Sequence, residues 1–482
     1  MTQALATPVL TEATLRQWFV NLWRPSHAEG SHEITAVDGE VPRELHGTLY
    51  RNGPSQHVLP EAGAAALHLF DGDGLVHAFR FDDGRVHYTS RFVRNETFLA
   101  EERTGAYAFA GFSLPADVPG HEGEMRVQPN TNVLHHAGRL LALVENAPPF
   151  EIDARTLAPI GSYDLDGRLL GMSTTAHPKV DGRSGEMVIH GYQPFAPFLQ
   201  LYVVGPDGRV TQAETVDAPY ATMMHDLAIS EHHAIFPLTS ARMNFEAMAA
   251  GGPVGDCVFA GEEPLCFGVR ARTPGAPVRW FETARPAFMF HFGNAYEEGG
   301  RIVFDACVYP DTAGLLDGLR TVRAGGGAGL RALPTLFELD LERGTCRETV
   351  LSDRSAEFPR CDPRRVGHRN RWGYAAVGRE DALADVEAYF SVLVKYDREG
   401  GASAYHDFGR GTWTGEPVFV PRTPDAAEDD GFVLVLCHDG PNDRTTLAVL
   451  DARRFDGPPL ATLSVRERIP MGFHGNFAPG VI

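Results

Sequence analysis

Four of the 20 histidines in the sequence lie inside or beside short apolar segments, whereas most of the others stand in polar surroundings. A neutral imidazole is a common metal ligand in proteins. The four residues are far apart in the chain, so only the fold can bring them together. Each one alone is more often a hydrogen-bonded core residue than a ligand. They are His177 in TTAHPKV, His225 in ATMMHDLAI, His291 in FMFHFGNA and His474 in MGFHGNF.

A hairpin pattern repeats along the chain: a short apolar or alternating segment, an Asp/Gly turn, and a second such segment. Examples are HAFRFDDGRVHY at 77–88, LYVVGPDGRVTQ at 201–212 and LFELDLERGTCRE at 336–348. Gly and Asp tolerate the positive φ that tight hairpin turns need. The repeat predicts an all-β protein, and a β-propeller accommodates so many hairpins in one domain. Because its innermost strands converge on a central axis, histidines from different blades can meet there.

The predicted organisation is an N-terminal arm, residues 1–40, followed by one catalytic propeller domain, residues 41–482. A short amphipathic helix in the arm is predicted from apolar residues at the i, i+3, i+4, i+7 spacing of one helical face. These residues are Leu15, Trp18, Phe19 and Leu22. The simpler interpretation is a helix packed on the propeller. The alternative is a partly exposed apolar patch that takes substrate from a membrane.

The composition excludes several classes of partner. The formal net charge is −20 and no basic run stands out, so no nucleic-acid partner is expected. The six cysteines are scattered without a CxxC pair, which is typical of reduced core residues in a cytosolic protein. No signal peptide is evident at the start, and the apolar runs are too short to span a bilayer. We expect a cytoplasmic protein whose only membrane contact would be peripheral and apolar.

Seven motifs, in order, resemble the carotenoid cleavage oxygenases, and in particular the bacterial members that cleave apocarotenoids. The resemblance runs from about Val41 to His474. The motifs are GTLYRNGPS (47–55), FDGDGLVHAF (70–79), TAHPKVD (175–181), MHDLAISEHHAIF (224–236), FHFGNAYEE (290–298), GEPVFVPR (415–422) and GFHGNF (472–477). The resemblance implies a seven-bladed β-propeller with a dome of loops and helices over the metal face, in agreement with the hairpin repeat.

The resemblance also implies a chemistry: a non-haem dioxygenase that cleaves a C=C double bond with O2 and gives two carbonyl products. His177, His225, His291 and His474 would bind Fe(II), and four neutral imidazoles leave two coordination positions open. Three glutamates would accept hydrogen bonds from the far ring nitrogens of three of these histidines. They are Glu145, Glu357 and Glu416. Thr131 would approach an open position of the iron.

The expected substrate is an apolar apocarotenoid, and the alternative is a stilbenoid or a phenylpropene. Relatives that cleave such phenols carry a Lys before the first of the three glutamates and a Tyr after an RxVR segment, where this chain has Val144 and Phe98. A buried phenol without a partner costs about 1–3 kcal/mol. The positions expected to line the substrate tunnel are Phe70, Phe98, Val144, Met223, Phe290 and Phe358. A calcium-dependent propeller hydrolase, a non-catalytic scaffold and an isomerohydrolase remain as rival classes.

Overall fold

The computed structural model describes residues 10–58, 68–113, 120–121, 123–250, 253–322, 329–401 and 403–482. In chain order, the elements of the first half are α1 (Glu12–Leu22), β1 (Gly30–Glu33), β2 (Val37–Gly39), β3 (Gly47–Ser55), β4 (Asp73–Asp82), β5 (Arg85–Phe92), α2 (Glu96–Thr104), β6 (Asn132–His136), β7 (Arg139–Leu143), β8 (Phe150–Ile152), β9 (Pro159–Ser162), β10 (Lys179–Val180), β11 (Met187–Tyr192), β12 (Leu199–Val204), β13 (Val210–Val216), β14 (Ala228–Ile229), β15 (His233–Leu238) and β16 (Ala241–Met243). Those of the second half are α3 (Phe245–Ala249), β17 (Val258–Ala260), β18 (Cys266–Ala271), β19 (Val278–Glu282), β20 (Phe288–Glu298), β21 (Arg301–Tyr309), α4 (Thr312–Thr321), β22 (Leu333–Asp340), β23 (Thr345–Val350), β24 (Ala356–Cys361), β25 (Trp372–Val377), β26 (Val392–Asp397), β27 (Ser403–His406), β28 (Thr412–Thr414), β29 (Val418–Pro421), β30 (Gly431–Asp439), β31 (Arg444–Asp451), β32 (Ala461–Ser464) and β33 (Gly475–Pro479).

The strands form seven antiparallel sheets, which are the blades of a β-propeller, so the predicted fold class is confirmed. By strand order they are blade 1 (β1-β5-β4-β3-β33), blade 2 (β6-β7-β8-β9), blade 3 (β10-β11-β12-β13), blade 4 (β14-β15-β18-β19), blade 5 (β20-β21-β22-β23), blade 6 (β24-β25-β26-β27) and blade 7 (β2-β32-β31-β30-β28, with β29 also paired to β30). A separate ribbon of β16 and β17 interrupts blade 4.

The two ends of the chain close the ring twice. In blade 1, β33 pairs with β3, with Arg51 opposite Gly475. In blade 7, β2 pairs with β32, with Val37 opposite Leu463. The propeller sheets therefore include β1 and β2 from the expected arm of residues 1–40, and the first nine residues of that arm lie outside the described residues. The closure also fixes the strand that follows His474.

Aromatic side chains fill the space between neighbouring blades. Phe267 of blade 4 lies 4.8 Å, between ring centroids, from both Phe304 and Phe337 of blade 5. Phe304 and Phe337 stack on each other at 5.2 Å. All three rings are fully buried. Since buried apolar area contributes about 25 cal/mol per Å2, such contacts hold adjacent blades together and set the positions of their inner strands.

Helix α1 packs on the propeller with the face that the sequence pattern indicates. Leu15, Phe19 and Leu22 are buried, and the Phe19 ring lies 5.7 Å from that of Trp413. The carbonyl of Leu22 accepts a hydrogen bond of 2.8 Å from the amide of Met471. The apolar face of α1 is thus covered by the protein itself. In the described part of the chain, no helix is both long enough and apolar enough to cross a bilayer.

Replacing Phe19 with Ala should lower the free energy of unfolding by about 3–5 kcal/mol, because it leaves a cavity against Trp413. Urea denaturation followed by tryptophan fluorescence measures this change. Gln17→Ala, on the exposed side of the same helix, is the matched control and should stay within about 0.5 kcal/mol of the unsubstituted protein. Equal stabilities of the two variants would show that the helix does not hold the fold.

Candidate metal centre and substrate cavity

The four histidines singled out from the sequence meet on the propeller axis. One ring nitrogen of each lies within 4.8 Å of those of the other three, and all four side chains are buried. They come from four blades. His177 precedes β10, His225 precedes β14, His291 lies within β20, and His474 immediately precedes β33. The long separations in sequence are closed by the convergence of the inner strands.

The imidazoles direct ring nitrogens towards one another. The Nε2 atom of His291 lies 3.2 Å from Nε2 of His225 and 3.2 Å from Nε2 of His474. The Nε2 atom of His177 is buried without a hydrogen-bond partner among the described residues. A proton on one nitrogen could satisfy only one such contact at a time. A divalent cation among the four nitrogens would satisfy all of them, so this donor set fits a metal ion.

Three glutamates hold the outward-facing nitrogens of three of these rings. Nδ1 of His291 lies 2.5 Å from Oε2 of Glu357, and Nδ1 of His474 lies 3.0 Å from Oε1 of Glu416. Nδ1 of His225 is in ion-pair contact with Oε1 of Glu145. A proton held on Nδ1 leaves Nε2 free for a metal, so these contacts select the tautomer a metal site needs. No carboxylate in the described part of the chain lies against His177.

Every blade contributes one member of this group of seven side chains. Blades 1, 3, 4 and 5 supply the imidazoles. Glu145 follows β7 of blade 2, Glu357 lies on β24 of blade 6, and Glu416 stands between β28 and β29 of blade 7. The metal centre is therefore a property of the whole ring and not of one hairpin.

Burial and the neighbouring charges together shift the pKa values of the centre. Burial lowers the pKa of His177 well below the ordinary value, and it lowers the pKa of His474 to about 3 despite the opposing charge of Glu416. For His291, burial also favours the neutral ring, but the charge of Glu357 outweighs it and raises the pKa. Burial opposes ionisation of Glu145, yet the charge of His225 and its hydrogen bond hold the pKa of that carboxyl below its usual range. His177 and His474 are thus neutral near pH 7, the form that binds a metal.

The three glutamates are oriented by different partners. Glu416 accepts hydrogen bonds from Nη1 of Arg51 at 2.9 Å and from the Gly475 amide at 3.0 Å, and it pairs with Arg360 at 3.3 Å. Glu145 accepts a hydrogen bond from the hydroxyl of Tyr192. The hydroxyl of Tyr309 donates to Oε1 of Glu357 at 2.9 Å.

Local backbone strain helps to aim Glu357. The next residue, Phe358, has a φ of 55°, in the left-handed region that a phenylalanine rarely adopts. The pairing of β24 with β25 shifts register between Glu357 and Arg360. A bulge of this kind redirects side chains along a strand. Here both Glu357 and Phe358 line the cavity beside His291.

A cavity of about 720 Å3 opens directly onto three of the imidazoles, those of His225, His291 and His474. Five of the six residues expected to line a substrate tunnel do line it: Phe70, Val144, Met223, Phe290 and Phe358. Thr131 lines it as well, and its carbonyl accepts a hydrogen bond of 3.2 Å from the amide of His474. Helices α1, α3 and α4 supply Phe19, Phe245 and Leu319 to the lining, so helices cover the metal face as expected.

Phe98 does not line the cavity, and the expectation for this residue was wrong. Its amide is capped by Oδ1 of Asn95 at the start of α2, and the helix turns the ring onto blade 1. The ring is 2% exposed and stacks on His57 at 3.9 Å between centroids. The cavity wall after α2 is formed instead by Gly111 and Phe112. Of the two positions that distinguish the relatives that cleave phenols, only Val144 therefore lies at the cavity.

The sequence interpretation missed four residues that support the glutamates. Arg51 lies in the GTLYRNGPS motif, but the motif alone gave no role for its guanidinium group. Arg360, Tyr192 and Tyr309 lie in or at the ends of strands β24, β11 and β21, where nothing in the pattern separates them from structural residues.

A second group of potential metal ligands, His57, Asp73 and Glu101, lies away from the cavity. The guanidinium of Arg126 is buried between the two carboxylates, 2.6 Å from Asp73 and 2.8 Å from Glu101. These carboxylates are thus already paired with a cation. The group is an ion-pair network under α2 and not a vacant metal site.

Comparison with known proteins gives consistent matches over nearly the whole chain. The retinal pigment epithelial membrane protein family matches residues 23–479. The chain is 32% identical over 475 residues to an apocarotenoid-15,15'-oxygenase of Synechocystis, covering 93% of this chain and 94% of that protein. It is 31% identical over 471 residues to an isoeugenol monooxygenase of Pseudomonas nitroreducens, covering 94% and 96%. The crystal structure of a lignostilbene dioxygenase from Pseudomonas brassicacearum superposes with a TM-score of 0.86 at 29% identity, covering 95% of this chain and 98% of that one.

Replacing any one of His177, His225, His291 and His474 with Ala should abolish most metal binding, because each substitution removes one of the four ligand nitrogens. Metal analysis after anaerobic loading with Fe(II) and removal of unbound ion measures this. His232→Ala, an exposed histidine outside the group, is the control and should retain the metal. A variant of the four that keeps a full complement would show that its histidine is not a ligand.

Replacing Glu145 or Glu357 with Gln should weaken Fe(II) affinity by about 10–100-fold, because the amide no longer fixes the tautomer of its histidine. Glu416→Gln should do the same and also cost about 3–5 kcal/mol of stability, because it leaves Arg51 buried without its charge partner. Competition with a chromophoric chelator gives the affinity, and chemical denaturation gives the stability. The prediction fails if all three variants bind iron like the unsubstituted protein.

Proposed function

The chain belongs to the carotenoid cleavage oxygenase family of non-haem iron enzymes that cleave double bonds, and from this premise we propose that it cleaves an apocarotenoid. The reaction would split one C=C bond of the polyene with O2 and give two carbonyl products. The observation that carries this proposal is the apolar cavity against the four-histidine centre.

The resident metal of this proposal is Fe(II), held by His177, His225, His291 and His474. Bound there, iron supplies the activation of O2 that an unactivated double bond needs. The protein supplies the rest. The three glutamates hold the imidazoles in the metal-binding tautomer, and Thr131 stands at the cavity side of the centre and limits what approaches it.

The aromatic walls would position the double bond. The Phe290 ring lies 4.9 Å from that of His225, and the Phe358 ring lies 5.2 Å from that of His474, measured between centroids. A flat conjugated chain that lies between Phe290 and Phe358 would therefore pass directly in front of the imidazoles. Such a chain stacks on aromatic rings without needing a hydrogen bond.

The lining favours a polyene over a phenol. Among the described residues that line the cavity there is no Lys and no Arg, and Val144 stands beside Glu145 where a cation would meet a phenolate. The hydroxyls of Tyr192 and Tyr309 are already bonded to Glu145 and Glu357. A polyene needs no polar partner, and each 100 Å2 of apolar surface that it buries contributes about 2.5 kcal/mol.

The alternative substrate is a phenolic alkene such as a stilbenoid or a phenylpropene. Similarity to an isoeugenol monooxygenase and to a lignostilbene dioxygenase supports it, since these are matched about as well as the apocarotenoid oxygenase. Its phenol would need a partner that Val144 does not offer, which is why we place it second.

The unsubstituted enzyme should show a kcat/KM for apocarotenals about 5–150-fold above that for 4-hydroxystilbenes or isoeugenol, since an unpaired phenol costs about 1–3 kcal/mol. Oxygen uptake and identification of the carbonyl products by mass spectrometry measure it. Efficient cleavage of the phenols with no cleavage of an apocarotenal would overturn the assignment in favour of the alternative.

Val144→Lys should raise kcat/KM for phenolic alkenes relative to apocarotenals, because it places an ammonium group at the cavity wall. Phe98→Tyr is the matched control. It adds a phenol at the other position implicated by sequence, but outside the cavity, and should leave the substrate ratio unchanged. A shift in that ratio with Phe98→Tyr and none with Val144→Lys would contradict the structural placement of both residues.

A further inference from the structure

Two tyrosines complete a pair of matching three-residue chains around the metal centre. Tyr192, at the end of β11, bonds to Glu145, which faces His225. Tyr309, at the end of β21, bonds to Glu357, which faces His291. In each chain the imidazole takes one carboxylate oxygen and the phenol takes the other. Both tyrosines line the cavity, as do the two glutamates to which they are bonded.

We propose that Tyr192 and Tyr309 are positioning residues that set the orientation and charge of Glu145 and Glu357, and through them the electron donation of His225 and His291 to the metal. The inference rests on the metal site of the proposed function and adds two residues to it. It assigns the tyrosines an action on the iron and not on the substrate.

The physical argument concerns how a carboxylate shares its charge. A phenol bonded to one oxygen withdraws negative charge from the other oxygen, the one that accepts the Nδ1 proton of the histidine. Without the phenol, the carboxylate would pull harder on that proton. The imidazole would then gain anionic character and donate more strongly to a bound metal.

The third glutamate shows why the phenols matter. Glu416 is held by Arg51, Arg360 and the Gly475 amide. Its charge is therefore offset by full cations. Glu145 and Glu357 have a neutral phenol in that role, and Glu357 also accepts a hydrogen bond of 3.0 Å from the Phe358 amide. Burial raises the pKa of both phenols well above the ordinary value, and the charge of the neighbouring glutamate adds to this, so they remain protonated donors.

The two chains differ in their access to solvent, and this predicts unequal effects. The side chain of Glu357 is 4% exposed, whereas that of Glu145 is 17% exposed and reaches the cavity surface. Water can replace a lost phenol at Glu145 more readily than at Glu357. The loss of the hydroxyl from Tyr309 should therefore matter more than the loss from Tyr192.

The test compares Tyr309→Phe and Tyr192→Phe with Tyr50→Phe as the matched control. Tyr50 is also buried, and its hydroxyl bonds at 2.6 Å to the Ala154 carbonyl on blade 2, away from the cavity. Each protein is loaded anaerobically with Fe(II), its iron content is measured, and the reduction potential of the bound iron is determined by redox titration. We expect the potential to shift to more negative values in Tyr309→Phe, to shift less in Tyr192→Phe, and to stay unchanged in Tyr50→Phe.

A double-substitution cycle separates action through the glutamate from a general loss of structure. In a Glu357→Gln background, Tyr309→Phe should change the potential little further, because the carboxylate on which the tyrosine acts is gone. Equal shifts in both backgrounds would overturn the proposal. So would unchanged potentials with a raised KM, which would make the tyrosines substrate contacts. If the unsubstituted protein binds no iron, the proposed function fails first and this inference fails with it.

Discussion

The structure depends on holding four buried imidazoles with one ring nitrogen of each within 4.8 Å of those of the other three. Nothing in a local sequence motif can do this, because convergent electron pairs repel. The propeller imposes the arrangement through the packing of its blades, in which rings such as Phe267 and Phe304 set the position of each inner strand. A metal ion turns the same repulsion into attraction, so the fold and the metal stabilise each other.

The three glutamates around the centre are stabilised by two kinds of partner. Glu416 is fixed by guanidinium groups, whereas Glu145 and Glu357 are fixed by phenols, and both Glu416 and Glu357 also accept a hydrogen bond from a backbone amide. The difference follows the geometry, because the phenols face the apolar cavity, where an arginine would be desolvated at high cost. A mostly apolar wall, with no Lys or Arg among the described residues that line it, also suits a polyene. The same phenols that support the glutamates thus leave a cavity wall that suits the proposed substrate.

Much of the fold and the ligand set could be predicted from the sequence, because hairpin turns and histidines in apolar segments leave local signals. The orientation of individual side chains leaves no such local signal. Phe98 lies near the cavity-lining residues Gly111 and Phe112 in the sequence. The cap at Asn95 nevertheless turns its ring away from the cavity. Tyr192 and Tyr309 end ordinary apolar strands, and only the assembled ring shows that their hydroxyls reach glutamates from other blades. Such pairings depend on tertiary contacts between segments far apart in the chain.

The contribution of one side chain per blade has a consequence for the history of the fold. In repeat architectures each unit contacts mainly its neighbours, so the number of units can change without rearranging the others. Here the blades are no longer interchangeable, since four supply an imidazole and three a carboxylate. Gaining or losing a blade would misplace every member of the set at once. A ring with another number of blades is therefore incompatible with this metal centre. The loops and helices above the ring can vary without displacing it.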